Sequence, residues 1–148
     1  NWWTEADSEA FKLKTDVLVK QFDAVEVLPA RDGQPALHAD GRLSLGENIA
    51  DQGGLRVAYT ALHNAIDTEA VAPIDGFTPD QRFYLAYATL WAQSIRDEEI
   101  ARLTKNDVHS LGVNRVNITL RNLQSFYDAF GITEGPMFLP AEERVVVW

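Results

Sequence analysis

The chain has 148 residues, 46% of them hydrophobic and 10% aromatic, which is enough to bury one hydrophobic core and too few for two. Its formal net charge is −9 and its 13 Lys and Arg residues are scattered, so neither nucleic acid nor an anionic membrane is an expected partner. The absence of cysteine excludes disulfides and thiolate metal sites, so any zinc ion would need His and carboxylate ligands.

The N-terminal segment predicts an amphipathic helix over about residues 5–24. Thr4 to Asp7 fit the capping-box pattern, and apolar residues recur at mostly helical spacing as far as Phe22. The chain starts at Asn1 without the basic and apolar stretches of a signal peptide, and we expect this to be a cut or processed end of a longer chain. The sequence has no run of about 18 to 20 apolar residues, which a membrane-spanning helix needs.

The middle of the chain predicts two long helices. Residues 25–43 contain Pro, Gly and an Asp-Gly pair, which indicates an irregular connection ending in a tight turn or short hairpin. The next helix is predicted from Ser44 to about Ile66. After a loop rich in Ala, Pro and Gly, a helix begins with Thr78 as N-cap and continues to about Arg96. Because this helix is apolar on nearly every side, we expect protein to cover it all round.

Shorter elements are predicted for the last third of the chain. We expect a charged helix at 97–104, a polar loop at 105–114, a brief extended piece at 115–118 and a last helix near 123–130. The predicted fold is therefore mainly α, with little β structure.

Two acidic residues near the start of the second predicted helix need an explanation. Glu47 and Asp51 are four positions apart, so both carboxylates lie on one helix face and repel each other by roughly a few tenths of a kcal/mol. Gly53 and Gly54 follow, and each costs about 1 kcal/mol relative to Ala unless another element packs closely there. Spacing alone favours a capping box between Ser44 and Glu47, with Asp51 as a solvated surface charge. A metal site is the alternative.

The segment GENIAD, followed by a glycine pair, resembles the glutamate-ligand motif of the neprilysin family, also called the endothelin-converting-enzyme family. The resemblance implies that Glu47 binds zinc and that Asp51 accepts a hydrogen bond from a histidine ligand. The chemistry is consistent, because a carboxylate ligand neutralises part of the charge of zinc and a ligating histidine pairs its free N–H with a carboxylate.

The other two ligands of such a site are absent from this chain. Catalytic zinc of this type needs an HExxH sequence, and none occurs among the 148 residues. His63 is sixteen residues beyond Glu47 on the same predicted helix, about 24 Å away at 1.5 Å per residue, so it cannot share a metal with it. His38 is expected to be a surface residue. We therefore expect the chain by itself to be nearly metal-free.

A second match to the family lies in NDVHSLGVNRVN, residues 106–117. Without the family, this segment would be read as a loop aspartate making a local turn beside an exposed histidine. The resemblance implies that His109 donates to the developing oxyanion, that Asp107 holds His109, and that Arg115 binds the substrate carbonyl beyond the scissile bond. A preorganised donor of this kind contributes about 2.7–4 kcal/mol to transition-state stabilisation.

The resemblance covers essentially all 148 residues, including NWWTEAD, DGFTPDQ, PMFLPAEER and the terminal Trp148. It implies that residues 1–148 are the C-terminal helical lobe of a zincin metallopeptidase domain of the thermolysin-like gluzincin type. Trp2, Trp3 and Trp91 are expected to make core or lobe contacts, and Glu142 and Glu143 to be a solvated pair. The lack of cysteine resembles bacterial members of the family.

The function implied by the resemblance is that of a zinc metalloendopeptidase cleaving small to medium peptides, typically before a hydrophobic residue, in the periplasm or at the cell surface. Its partners would be peptide substrates and the missing N-terminal part of its own chain. Because the base and two ligands are missing, we expect the isolated chain to be inactive. A non-catalytic helical interaction module, or a degenerate family member, is the alternative.

Overall fold

A computed structural model describes residues 3–148 of the chain and confirms that they are mainly α-helical. The elements are α1 (Glu5–Asp23), β1 (Glu26–Leu28), β2 (Leu37–His38), α2 (Leu45–Ala65), α3 (Pro79–Leu90), α4 (Asp97–Asn106), α5 (Gly112–Leu120), α6 (Gln124–Phe130) and a 3₁₀ turn (Ala141–Glu143). The contact predicted for Trp2 lies outside the described residues. None of the helices in residues 3–148 is both long and apolar enough to cross a bilayer.

Both helix starts predicted from capping patterns are confirmed. The Oγ1 of Thr4 accepts a hydrogen bond from the Asp7 N–H at 3.1 Å. Thr78 and Gln81 form a reciprocal capping box, with N···O distances of 3.3 and 3.0 Å. These starts were predictable because a cap involves only the first four residues of a helix.

Residues 25–43 contain a short hairpin, and the tight turn predicted at their end is also present, because residues 41–44 form a turn in which the Ser44 N–H donates to the Asp40 carbonyl. β1 and β2 are antiparallel, and the turn between Arg31 and Gln34 places Asp32 and Gly33 at positive φ. Gly41, the first residue of the turn at 41–44, lies against α1, where a Cβ atom would collide with the carbonyl oxygen of Val19.

Two predicted elements are wrong. The helix that begins after Thr78 ends at Leu90 rather than near Arg96. Residues 115–118, predicted as extended, lie inside α5, whose first turn is closed by hydrogen bonds from Asn114 and Arg115 to the Leu111 carbonyl. The β-branched residues of this segment have a local preference for strands, but α5 packs against both α1 and α2, and that packing outweighs it.

The core consists of two clusters, and α2 and α5 contribute to both. The first contains Leu18, Phe22, Ile49, Ile118, Val145 and Val147. The second contains Leu55, Tyr84, Leu120, Leu123, Phe126 and Tyr127. Because α2 is anchored at Ile49 and Leu55, its rotation about its own axis is determined, and so is the direction in which its acidic residues point.

The C-terminal segment is hydrogen-bonded to α2 through Gln52. The buried Gln52 donates to the Val145 carbonyl at 2.7 Å and accepts from the Val147 N–H at 2.9 Å. Trp148 packs against the rings of Phe11 and Trp3, so the contact predicted for Trp3 is present. Glu142 and Glu143 are exposed, as predicted.

The expectation that protein covers the third predicted helix on all sides is wrong within residues 3–148. Tyr84 is the buried residue of α3, whereas Leu85 and Leu90 are exposed, Leu90 to 77%. On α2, Val57 is also exposed. The two helices thus leave apolar side chains uncovered among the described residues.

Candidate functional site

The start of α2 leaves the Glu47 carboxylate free for contacts outside its own helix. Ser44 makes no side-chain capping bond, and its hydroxyl instead donates to the Asp40 carbonyl at 2.7 Å. The Asp40 carboxylate accepts from the Leu43 N–H at 2.8 Å. The capping box expected between Ser44 and Glu47 is therefore not formed, and the Glu47 side chain remains 43% exposed.

The loop between α4 and α5 brings His109 to this carboxylate. His109 Nε2 lies 3.5 Å from Glu47 Oε2. The opposite ring nitrogen, Nδ1, lies 2.8 Å from Asp107 Oδ1, which also accepts the His109 backbone N–H at 2.9 Å. These hydrogen bonds lower the pKa of Asp107 below its usual value. Asp107 therefore does both things that the sequence suggested: it makes a local turn with the His109 backbone, and it holds the His109 imidazole.

Asp51, one turn further along α2, is paired with Arg115. Its two carboxylate oxygens accept from Nε and one terminal nitrogen of Arg115, both at 2.6 Å. The Asp51 side chain is 10% exposed and that of Arg115 14%. The interpretation of Asp51 as a solvated surface charge is therefore wrong. The hydrogen bonds that Arg115 donates to Asp51 raise the pKa of Arg115 above its usual value.

Two aromatic residues of the α3 region support this ion pair. The Arg115 guanidinium lies over the Trp91 ring, 3.8 Å from its centroid, and the Tyr87 hydroxyl donates to the Arg115 carbonyl at 3.2 Å. Burial raises the pKa of Tyr87 to about 12, with a further contribution from Asp51, so its hydroxyl remains a donor at neutral pH. The sequence indicated a core or lobe contact for Trp91, but nothing in it pointed to Arg115 as the partner.

The side of α2 that carries Glu47 and Asp51 continues into an open apolar groove of about 440 Å³. It is lined by Ala50, Asp51, Gly54, Leu55 and Ala58 of α2 and by Phe83, Ala86, Tyr87 and Leu90 of α3. Within residues 3–148, nothing lies within 4 Å of where a Cβ atom of Gly54 would be, whereas one at Gly53 would touch Trp148 at 3.5 Å. A separation of 3.5 Å is ordinary van der Waals contact, so the closely packed neighbour expected at the glycine pair is not found within residues 3–148.

Residues 3–148 contain no group of three His, Asp or Glu side chains placed to hold a metal ion. Of the two acids in the motif, Glu47 has the more available oxygens, because both oxygens of Asp51 already accept from Arg115. His63 pairs with Asp80 at 2.9 Å between the end of α2 and the start of α3. Of the two acids, Glu47 is therefore the one whose carboxylate has room to accept a further partner.

The chain is similar to known peptidases over nearly its whole length. The sequence pattern of the family described as peptidase family M13 matches residues 1–146. Neprilysin-21 of Caenorhabditis elegans is 34% identical over 154 residues, covering 100% of this chain and 19% of that protein. The neutral endopeptidase of Lactococcus lactis subsp. lactis (strain IL1403) is 33% identical over 148 residues, covering 99% of this chain and 21% of that protein.

A solved structure shows the same fold. The cryo-EM structure of the Mycobacterium tuberculosis zinc metalloprotease Zmp1 in its open state aligns with 100% of this chain and 23% of that one, with a TM-score of 0.91 and 34% identity. The chain spans about a fifth of the length of the curated relatives just described. Similar proteins occur in an animal and in bacteria, so a bacterial origin remains a prediction.

Proposed function

The chain belongs to peptidase family M13, and on that basis we propose that it is the C-terminal part of the catalytic domain of a zinc metalloendopeptidase. The observation that carries this proposal is the meeting of Glu47 and His109 on an open surface, with 3.5 Å between carboxylate and imidazole. One is a potential metal ligand and the other a potential proton or hydrogen-bond donor. Their juxtaposition suits hydrolysis of a polarised carbonyl group.

Glu47 is proposed as the zinc ligand contributed by this chain. A bound zinc ion supplies a Lewis acid and a water molecule whose pKa is lowered towards 7. The other zinc ligands are proposed to come from a helix elsewhere in the protein that packs in the apolar groove between α2 and α3. The groove supports this because Asp51 lines it and because Gly54 leaves room for a closely packed helix. Asp51 is proposed to accept from a histidine ligand through a lone pair that Arg115 leaves free, since each carboxylate oxygen has two.

His109 and Arg115 are proposed to act on the substrate. Nδ1 of His109 is held by Asp107 and Nε2 lies 3.5 Å from Glu47, and Nε2 is proposed to donate to an oxyanion that forms beside this carboxylate. Arg115 uses two of its five N–H groups on Asp51, and one of the others is proposed to donate to a substrate carbonyl from the 14% of the side chain that is exposed. A cavity of about 510 Å³, bordered by Trp91, Leu111 and Val116 among others, supports a preference for a hydrophobic residue after the cleaved bond.

We expect the full-length protein to hydrolyse peptides only while zinc is bound, and the isolated 148-residue chain to have no such activity. The chain lacks the HExxH glutamate and two of the three ligands. The measurement compares cleavage of a fluorogenic peptide by both proteins before chelation, after it, and after zinc is restored. Zinc-dependent turnover by the isolated chain, or none by the full-length protein, would contradict the proposal. We propose the periplasm or the cell surface as its location.

His109→Ala in the full-length protein is expected to lower kcat by about 10²–10³-fold with bound zinc unchanged. The reason is the loss of a preorganised donor that acts in the transition state. The matched control is His38→Gln, because His38 is exposed on β2 and, within residues 3–148, no side-chain hydrogen bond or ion pair joins it to a residue of the site. A loss of zinc in His109→Ala would mean that His109 is a metal ligand and would overturn the donor role.

A further inference from the structure

The loop that carries His109 is tied to α2 by a buried polar network. Ser110 Oγ lies 2.8 Å from Asn48 Oδ1 and 3.0 Å from Ser44 Oγ. Asn48 Nδ2 donates to Ser44 Oγ at 3.1 Å, and Ser44 Oγ donates to the Asp40 carbonyl at 2.7 Å. The network thus joins three segments of the chain: the loop before α2, the first turn of α2, and the loop before α5.

The network lies next to the two site residues His109 and Glu47 in the sequence. Ser110 follows His109 directly in the sequence, and Asn48 follows Glu47 directly. A hydrogen bond between Ser110 and Asn48 therefore links the two backbones at the positions next to the imidazole and the carboxylate. Within residues 3–148, the side-chain hydrogen bonds between the 107–111 loop and α2 are those formed by Ser110.

The network is also protected from water. Asn48 is 1% exposed, Ser44 is buried and Ser110 is half-buried. Water cannot readily replace a donor in such a place, so losing the Ser110 hydroxyl leaves Asn48 Oδ1 without a partner. The loop would then be held mainly at its ends, where Asp107 N–H donates to the Leu103 carbonyl and Asn114 N–H to the Leu111 carbonyl.

We propose that Ser110 and Asn48 are positioning residues, which set the distance between the imidazole of His109 and the carboxylate of Glu47. This inference rests on the proposed function. The network does not touch the substrate; it acts by holding two loops and a helix in one relative position. A displacement of about 1 Å at a reacting group can lower a rate by about 10²-fold, so losing the partly buried hydrogen bond between Ser110 and Asn48 is expected to lower the catalytic rate.

The test uses Ser110→Ala and Ser110→Thr in the full-length protein. We expect Ser110→Ala to lower kcat by about 10–100-fold with KM and zinc content nearly unchanged, and Ser110→Thr, which keeps the hydroxyl, to restore most of the rate. The matched control is Ser125→Ala. Ser125 also makes a hydrogen bond to a buried side chain, with Tyr84 at 2.6 Å, but it lies on α6 and its partner belongs to the second core cluster. We expect Ser125→Ala to leave kcat unchanged.

A second measurement does not depend on activity. In protein with ¹³C-labelled histidine, the imidazole signal assigned to His109 by its absence in His109→Ala is expected to shift or broaden in Ser110→Ala but not in Ser125→Ala. Equal kcat values and unchanged imidazole signals in both Ser110 variants would overturn the inference, and so would an equal loss in Ser125→Ala. If the wild-type protein shows no zinc-dependent hydrolysis, the proposed function fails, and the imidazole signals alone decide whether Ser110 positions His109.

Discussion

Replacing Asp51 with alanine is expected to lower the free energy of unfolding by about 3–5 kcal/mol. The change leaves the Arg115 guanidinium largely buried, with 14% of its side chain exposed, stacked on Trp91 and without its carboxylate partner. An unpaired buried charge keeps its desolvation cost while losing the interaction that offsets it. The folded-state pKa of Arg115 is raised. The stability that its charge contributes is therefore fully present below the unfolded-state pKa and is lost as the pH rises through the folded-state pKa. Deprotonation of Arg115 therefore does not affect stability near neutral pH.

The measurement is urea unfolding of the chain, with the exposed pair of Asp16 and Arg42 as the matched control. That pair also joins Asp to Arg at 2.6 Å, but both side chains are more than half exposed. Asp16→Ala is expected to cost at most about 1 kcal/mol, because solvent screens an exposed pair. If Asp51→Ala and Asp16→Ala lower the free energy of unfolding equally, the prediction is wrong, because burial then does not increase the stability that the Asp51–Arg115 pair contributes.

Glu47→Gln in the full-length protein is expected to reduce bound zinc from about one ion per molecule to nearly none, and peptide hydrolysis with it. The amide has nearly the shape of the carboxylate but carries no charge to neutralise the metal. The measurement is the metal content of purified protein by mass spectrometry, together with the cleavage rate. This result would differ in kind from that of His109→Ala, which is expected to retain zinc.

Glu9→Gln is the matched control for this change. Glu9 is an exposed glutamate on α1 for which the structure gives no hydrogen bond or ion pair, so its loss of charge should leave both zinc content and rate unchanged. Retention of zinc by Glu47→Gln would contradict the ligand assignment and leave Glu47 only as the partner of His109.

Several features of the fold could be predicted because they depend on neighbours in the sequence. Thr4 and Thr78 cap their helices through contacts within four residues, and both caps are present. The periodicity around Phe22 and Leu55 reflects the face that each helix buries. By contrast, residues 115–118 are predicted to be extended but are helical, because their helical state depends on packing against α1 and α2.

The site divides in the same way. The sequence by itself determined that Glu47 and Asp51 lie one turn apart on α2 and that Asp107 lies within reach of His109, because helical rise and a two-residue separation allow little else. Only the tertiary structure decided that Asp51 pairs with Arg115, that His109 faces Glu47 and that Ser110 is tied to Asn48. These contacts join residues about sixty positions apart. Their partners are selected by how α2 and α5 pack around a shared core, and no local pattern of residues encodes that choice.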